Sequence, residues 1–519
     1  MIAKTFQGLE EILAKELTSL GAENVEIGKR MVSFTGDKRM MYLTNFSLHT
    51  ALRILKPIKQ FEANNADEVY EAVKSVEWSD YLSVDQTFAV ESTIHSEEFR
   101  HSMYVSYKVK DAIADYFREK EGNRPSVSVK NPDVSLNIHI NDNQCTLSLD
   151  SSGSSLHRRG YRAETVEAPL NEVLAAGLIM MTGWQGECDL IDPMCGSGTI
   201  LIEAALIAKN MAPGIFRTDG YAFEKWPDFD KDLLESIYND DSQEREFEHH
   251  IYGYDNNPKA VATARGNVKR ASLARTISLE LRDMKEFVQP EEKSVMITNP
   301  PYGERISSDN LLQLYATIGE RLKHAFVDGQ AWILSYREEC FEQIGLKPTR
   351  KIPVLNGELE CSFREYEIFS GKYVQFREAG EELSKPKEEN KNTEEKPKKR
   401  VSHDKWLTPE EHRRAEIERY ERAEARKKRM EEERLHPELK AEREKRFRKD
   451  DGDRPFRKDG DRKPFRKDGE RKPFRKDGDK PFRKDGDRKT FGKKGDGKPR
   501  RESYPERKKR EQKEKQSES

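Results

Sequence analysis

The sequence predicts an α/β protein: a ferredoxin-like unit, a second small α/β unit, a doubly wound parallel sheet, and a charged tail without a core. Three observations predict it. Short elements alternate as β-α-β-β-α-β over residues 1–55. From about residue 165 to 371, strand-like apolar runs alternate with helical patterns. Beyond about residue 375 apolar residues nearly vanish. Such a segment cannot bury enough apolar surface to offset its conformational entropy.

The 519 residues suit about three domains. The averages of 34% hydrophobic and 36% charged residues blend two materials, a folded body and a polar tail. In the first unit, Gly8 to Leu20 places Leu9, Ile12, Leu13, Leu17 and Leu20 at helical spacing, with Gly21 as the C-terminal stop. Strands follow near Asn24–Ile27 and Met31–Phe34, then a helix after Gly36 and a strand near Arg53–Ile58. Residues 56–155 give helices at Asp67–Val76 and Tyr104–Glu119, and strands at Thr87–Ser92 and Ser126–Val129. Ser135–Ile140 and Gln144–Leu149 form a hairpin across Asn141–Asp142–Asn143. Basic residues are scattered in this half, which alone is a weak signal for nucleic acid.

Residues 156–371 hold a linker and the large sheet. Its parallel strands are Cys188–Ile191, Ile251–Tyr254, Ser278–Leu281, Val295–Thr298 and Ala331–Ser335. Lys351–Leu355 and Cys361–Phe369 close the edge as an antiparallel hairpin. Residues 372–446 are a charged linker, with a helix expected over Thr408–Arg446 that is polar nearly all round. From Phe447 a Phe-Arg-Lys-Asp-Gly unit repeats, with phenylalanines at 447, 456, 465, 474, 482 and 491. Regular Pro and Gly exclude helix and strand, so this tail is expected to be disordered.

The formal net charge of −2 hides an asymmetry. Residues 447–519 carry about 29 Lys and Arg against about 17 Asp and Glu, roughly +12. The rest therefore carries roughly −14. A basic arm with interleaved rings suits RNA, charge for phosphates and aromatics for bases; a purely solubilising tail is the competing reading. The five cysteines, at 145, 188, 195, 340 and 361, show neither zinc spacing nor a disulfide framework, so no metal is expected. The N-terminus lacks a signal-peptide core, and no run approaches the ~20 apolar residues of a membrane span. A cytoplasmic protein without membrane contact is expected.

Three motifs carry chemistry. Asp192-Pro193-Met194-Cys195-Gly196-Ser197-Gly198-Thr199 is a strand end, a Gly-rich turn and a helix start. The glycines let the backbone approach a ligand, and the helix offers free N–H groups. No Gly-Lys-Ser/Thr follows, so a nucleoside triphosphate is disfavoured. The pattern fits S-adenosylmethionine; an ordinary tight turn is the alternative. Asp255, after the second strand, is placed to accept from ribose hydroxyls, or to cap the next helix. Asp283, after the third, is ambiguous in the same way, with the adenine amine as its ligand. Residues 210–250, including Phe223-Glu224-Lys225-Trp226-Pro227, separate the first two motifs like an insertion.

At the end of the fourth strand, Asn299-Pro300-Pro301-Tyr302 fixes two carbonyls, the Asn299 side chain and the Pro300 main chain. Two acceptors suit a planar amine. They weaken conjugation of its lone pair with the ring and free it to attack a methyl sulfonium. Tyr302 offers a face for a flipped base.

These residues resemble the class I methyltransferases that methylate exocyclic amines. Phe6-Gln7-Gly8-Leu9-Glu10, Leu156-His157-Arg158-Arg159-Gly160-Tyr161-Arg162 and Ala168-Pro169-Leu170 resemble the THUMP-domain RNA methyltransferases. Phe223–Pro227 and Asn299–Arg305 resemble the RlmL branch, which makes N2-methylguanosine in 23S rRNA. The resemblance covers residues 1–371. It implies a ferredoxin-like unit over 1–55, a THUMP domain over 56–155 and a Rossmann-like catalytic domain over 156–371. It further implies S-adenosylmethionine held by Asp192, Met194, Gly196, Gly198, Thr199, Asp255, Asp283 and Asn299, and catalysis by Asn299, Pro300 and Tyr302. The implied partner is RNA, as 23S rRNA or a ribosome assembly intermediate, and not DNA. Nothing after residue 371 could fold as a second methyltransferase domain, so one activity is expected. A tRNA guanine-N2 enzyme, a DNA adenine-N6 enzyme and a non-catalytic ribosome-assembly factor remain alternatives.

Overall fold

The computed structural model describes residues 1–99, 101–162, 169–290, 293–303, 308–326 and 328–369. The charged linker and the repeat tail, including the helix expected over 408–446, lie outside them. The chain begins with β1 (Ile2–Lys4), α1 (Glu10–Ser19), β2 (Glu23–Gly28), β3 (Met31–Thr35), α2 (Lys38–Ser47) and β4 (Arg53–Glu62), the expected order. Next come α3 (Ala66–Lys74), β5 (Thr87–His95), α4 (Ser102–Glu121), β6 (Ser126–Val127), β7 (Val134–Asn141) and β8 (Gln144–Asp150). The β7–β8 hairpin turns at Asp142, whose positive φ of 54° fits a short-polar residue in a tight turn.

These strands form one eight-stranded sheet in the order β2-β3-β1-β4-β8-β7-β5-β6. The sequence reading cut the chain at residue 55, inside β4, which pairs with β1 on one side and β8 on the other. Both halves therefore share a backbone ladder. On β7, Leu136, Ile138 and Ile140 point into the helix-covered core. Ser135, Asn137, His139 and Asn141 alternate onto the opposite face.

The second half contains α5 (Glu172–Thr182), β9 (Asp189–Asp192), α6 (Thr199–Ala208), α7 (Lys231–Asn239), β10 (Ile251–Asp255), α8 (Pro258–Arg270) and β11 (Ile277–Leu281). It continues with β12 (Ser294–Thr298), α9 (Ser308–Ala325), β13 (Gly329–Ser335), α10 (Glu338–Ile344), β14 (Arg350–Asn356) and β15 (Leu359–Ile368). The sheet order is β11-β10-β9-β12-β13-β15-β14. The first five strands run parallel and the last two pair antiparallel, as the hairpin signal predicted. Strand order reverses between β9 and β12. Their carboxyl ends, Asp192 and Thr298, flank the crevice where ligands of such sheets bind.

The two halves are locked together by the insertion. Residues 213–216 and 222–225 form 3₁₀ turns, and with α7 they pack on α2. Phe223 is stacked between Tyr42 and Tyr221, with ring centroids 4.1 Å and 5.1 Å apart. Phe223, Trp226, Leu234 and Ile237 belong to the same buried cluster as the core of the first sheet. Burial stabilises each such side chain by roughly 1.5–3 kcal/mol. On the other side Leu9 is fully buried against α5. A Cβ at Gly177 would lie 2.5 Å from a Leu9 methyl, so glycine provides the notch.

Candidate active site and nucleic-acid interface

The Gly-rich turn forms as the spacing predicts. Gly196 and Gly198 take φ of 54° and 80°, and Thr199 opens α6. A side chain at Gly198 would press on Ala264 at 3.3 Å, so the turn lies close on α8. Every residue of α6 is buried. This fits a helix that is apolar on every face but for Glu203.

Asp192 sits at the end of β9, 2% exposed. Its Oδ1 accepts from the Met194 N–H at 3.1 Å and the Thr298 hydroxyl at 2.8 Å. It thereby ties the first motif to the strand that carries Asn299. Burial pushes its pKa up to about 7, against the pull of Thr298 and Met194. A folded pKa above the unfolded one means the folded state binds the extra proton. The stability this contributes is fully present below about pH 4 and is lost as pH rises towards 7. Urea unfolding of ligand-free protein across pH 4.5–7.5 should therefore show the wild type losing stability relative to Asp192→Asn, by a few kcal/mol at most. Parallel profiles would contradict this.

Asp255 does not cap α8; Asn257 does, accepting from the Lys259 N–H at 2.9 Å. Asp255 instead accepts from the Gly196 N–H at 2.9 Å through Oδ2 and from the Asn257 N–H at 2.9 Å through Oδ1. Its carboxylate braces the Gly turn from the neighbouring strand, and each oxygen retains a lone pair for a ribose hydroxyl. Asp283 takes the capping role: Oδ1 accepts from the Lys285 N–H at 2.9 Å and Oδ2 from Asn256 Nδ2 at 3.2 Å. These bonds hold its carboxyl below the ordinary range, against burial.

Asn299, half-buried, follows β12 directly, with Pro300 buried behind it. Its Oδ1 accepts the Tyr302 hydroxyl at 2.5 Å, a bond the sequence did not suggest. The Tyr302 hydroxyl lies 3.4 Å from Asn356 Nδ2, and its ring meets Tyr336 edge-on at 5.3 Å. Burial drives the Tyr302 pKa upward, so the hydroxyl stays a donor.

A cavity of about 1710 Å³ lies away from this site, on the open face of the first sheet. None of residues 192–199, 255 or 299–302 lines it. The floor is the polar row of β7, with Glu91, Thr93 and His95 of β5 beside it. Lys4, Arg30, Arg53, Lys130, Arg158 and Lys225 stand around it. Basic residues scattered in sequence thus meet around one groove, beside Glu91, Asp150 and Asp219; Arg53 is paired with Asp150 and Lys225 with Asp133. Asn137 Oδ1 and His139 Nδ1 are buried without a hydrogen-bond partner. Burial, with Arg158 and other guanidiniums, lowers the His157 pKa to about 4; burial, then Lys4, lowers that of His139. Both rings are therefore neutral at pH 7, suited to base edges more than to phosphates.

Comparison with known proteins agrees with this geometry. Residues 1–55 match the RlmL ferredoxin-like domain, 63–150 the THUMP domain and 159–365 the RMKL-like methyltransferase domain. A Synechocystis protein named "Putative RNA methyltransferase" is 38% identical over 370 residues, 71% of this chain and 96% of its own. The chain belongs to the RlmL-like family of THUMP-domain RNA methyltransferases. The ribosomal RNA large subunit methyltransferase K/L of Syntrophotalea carbinolica is 39% identical over 376 residues, 70% of this chain. This chain spans 52% of that relative, about half its length. A solved structure described as "a putative methyltransferase complexed with SAH" superposes with a TM-score of 0.64 and 28% identity, over 72% of this chain and 98% of that one. RlmL-like enzymes of this fold use S-adenosylmethionine, and the Gly turn, Asp192 and Asp255 fit it: a close backbone approach, with buried or half-buried carboxylates at two strand ends. Among the described residues no helix is long and apolar enough to cross a membrane.

Proposed function

We propose that the protein transfers a methyl group from S-adenosylmethionine to the N2 amine of a guanine in 23S rRNA. The observation that carries this is the juxtaposition of the Asp192–Thr199 turn with the Asn299 carbonyl, bridged by the Thr298–Asp192 bond. Asp192, Met194, Gly196, Gly198, Thr199 and Asp255 would hold the cofactor, and Asp283 the adenine side. The cofactor would supply the electrophilic methyl, its S–C bond breaking as the N–C bond forms, with S-adenosylhomocysteine as leaving group. Asn299 and the Pro300 carbonyl accept from the target amine, and Tyr302 fixes the Asn299 amide. The groove on the first sheet grips the RNA, with cations on phosphates and Asn137, His139 and Asn141 facing bases. Labelled S-adenosylmethionine offered with purified 23S rRNA, 16S rRNA and tRNA tests the substrate. Incorporation into 23S rRNA is expected; incorporation confined to tRNA would favour the tRNA alternative, and none at all the non-catalytic one.

The tail, basic by roughly +12 on an acidic body, is proposed as an electrostatic arm. Such an arm raises encounter rate and non-specific affinity without naming a sequence. Truncation near residue 380 should leave cofactor binding and product unchanged. RNA affinity at low salt should fall, and its dependence on salt should become shallower. Equal slopes for the two proteins would show a tail that only solubilises.

A further inference from the structure

The chain that leaves the first sheet carries Arg162, whose guanidinium joins two segments of the second half, the entry to α5 and the start of α6. Nη2 donates to Thr199 Oγ1 at 2.7 Å and to the Leu170 carbonyl at 2.8 Å. Nε lies 3.2 Å from Glu172 Oε1 at the start of α5. Glu172 is 3% exposed and Thr199 5%. Thr199 is the first residue of α6, next to the glycine turn.

We infer that Arg162 is a positioning residue for the methionine end of the cofactor, fixing the Thr199 hydroxyl as a donor to the cofactor's carboxylate. This rests on the reading of residues 192–199 as the cofactor turn. A guanidinium can only donate, so the Thr199 oxygen is the acceptor in their bond. The single Thr199 proton must then point elsewhere. Among the described residues its other hydrogen-bond contact is Ser197 Oγ at 3.4 Å, too far for a strong O–H···O bond. The proton is thus held ready for a better acceptor, inside a 95%-buried side chain. The orphan N–H groups and positive dipole end of the ten-residue α6 converge on the same place. Of the three charged groups on the methionine moiety, only the carboxylate accepts hydrogen bonds; the ammonium and the sulfonium would meet donors and positive potential. Glu172 compensates the guanidinium charge, so Arg162 can remain beside a mostly buried turn without an unpaired cation.

The decisive probe is a cofactor lacking only that carboxylate. Calorimetric titration of the full chain with S-adenosylmethionine and with decarboxylated S-adenosylmethionine should show the wild type preferring the intact cofactor by roughly tenfold to a hundredfold. Thr199→Val, which keeps the shape and removes the hydroxyl, should lose most of that preference while binding the decarboxylated form about as well as wild type. Arg162→Ala should do the same, and Arg162→Lys should recover part of it. A merely structural role would weaken both ligands in proportion, which would overturn the inference. So would a carboxylate preference that survives Thr199→Val, whatever Arg162→Ala does to folding. A wild type that binds neither ligand would refute the cofactor reading itself, a different result from an unchanged ratio.

Discussion

Asn299→Ala is expected to lower methyl transfer by about 10²–10³, equivalent to about 2.7–4 kcal/mol, with a much smaller loss of cofactor affinity. The side-chain carbonyl stands at the end of β12, beside the strand that carries the Gly turn. It is proposed to accept a hydrogen bond from the amine as the nitrogen lone pair turns towards the methyl group and positive charge builds on nitrogen, so its contribution grows in the transition state; the surplus amine proton passes to water. The same oxygen accepts the Tyr302 hydroxyl, which fixes the amide and leaves one lone pair for substrate. Tyr302→Phe should therefore cost less than Asn299→Ala, about twofold to tenfold, as for one neutral hydrogen bond. Single-turnover rates with saturating cofactor and RNA separate these effects from binding. A near wild-type rate for Asn299→Ala, with guanine-containing RNA, would remove Asn299 from the chemistry.

The second large effect concerns stability. Glu203 lies in the middle of α6 with no solvent exposure. Its carboxylate is surrounded by Arg159 at 3.5 Å, the Tyr161 hydroxyl at 2.9 Å and His49 Nδ1 at 3.8 Å. Burial raises its pKa, but Arg159, then His49 and Tyr161, outweigh burial and hold it below the ordinary range. Arg159 also donates to the carbonyls of Leu156, at 2.9 Å, and His49. The cluster thus pins the first sheet, the linker and the cofactor-turn helix to one another. Removing one partner strands a buried charge. Arg159→Met should destabilise the protein by about 3–5 kcal/mol. The double variant Arg159→Met, Glu203→Leu should cost less than the sum of the two single ones, since no charge is left unpaired. Strict additivity in urea unfolding would show that the charges do not interact.

Much of the fold was legible because its signals are local. Period-two alternation marked β7, and Gly turns at strand ends marked the first motif. The capping question at Asp255 and Asp283 was open in sequence, because a carboxylate after a strand serves a helix N-terminus or a ligand equally well. Geometry answers differently for each: Asn257 takes the cap beside Asp255, whereas Asp283 caps its own turn. The Asn299–Tyr302 bond depends on how Pro300 and Pro301 bend the chain, which spacing does not encode. The groove was missed because Lys4, Arg30, Arg53, Lys130 and Arg158 are far apart in the chain and meet only when β4 joins both halves into one sheet. One trace was present: polar residues at every second position from Ser135 to Asn141, on a strand whose other face is aliphatic. The aromatic residues of the insertion read as a family mark, and their task, stacking on Tyr42, required the tertiary structure.

The central claim is that this site methylates the exocyclic amine of guanine. Purified protein, labelled S-adenosylmethionine and unmodified 23S rRNA, followed by digestion and mass spectrometry of the nucleosides, test it most directly. The label should appear in N2-methylguanosine, and Asn299→Ala should slow its appearance by about 10²–10³. Label in N6-methyladenosine, or in any nucleoside other than N2-methylguanosine, would contradict the account.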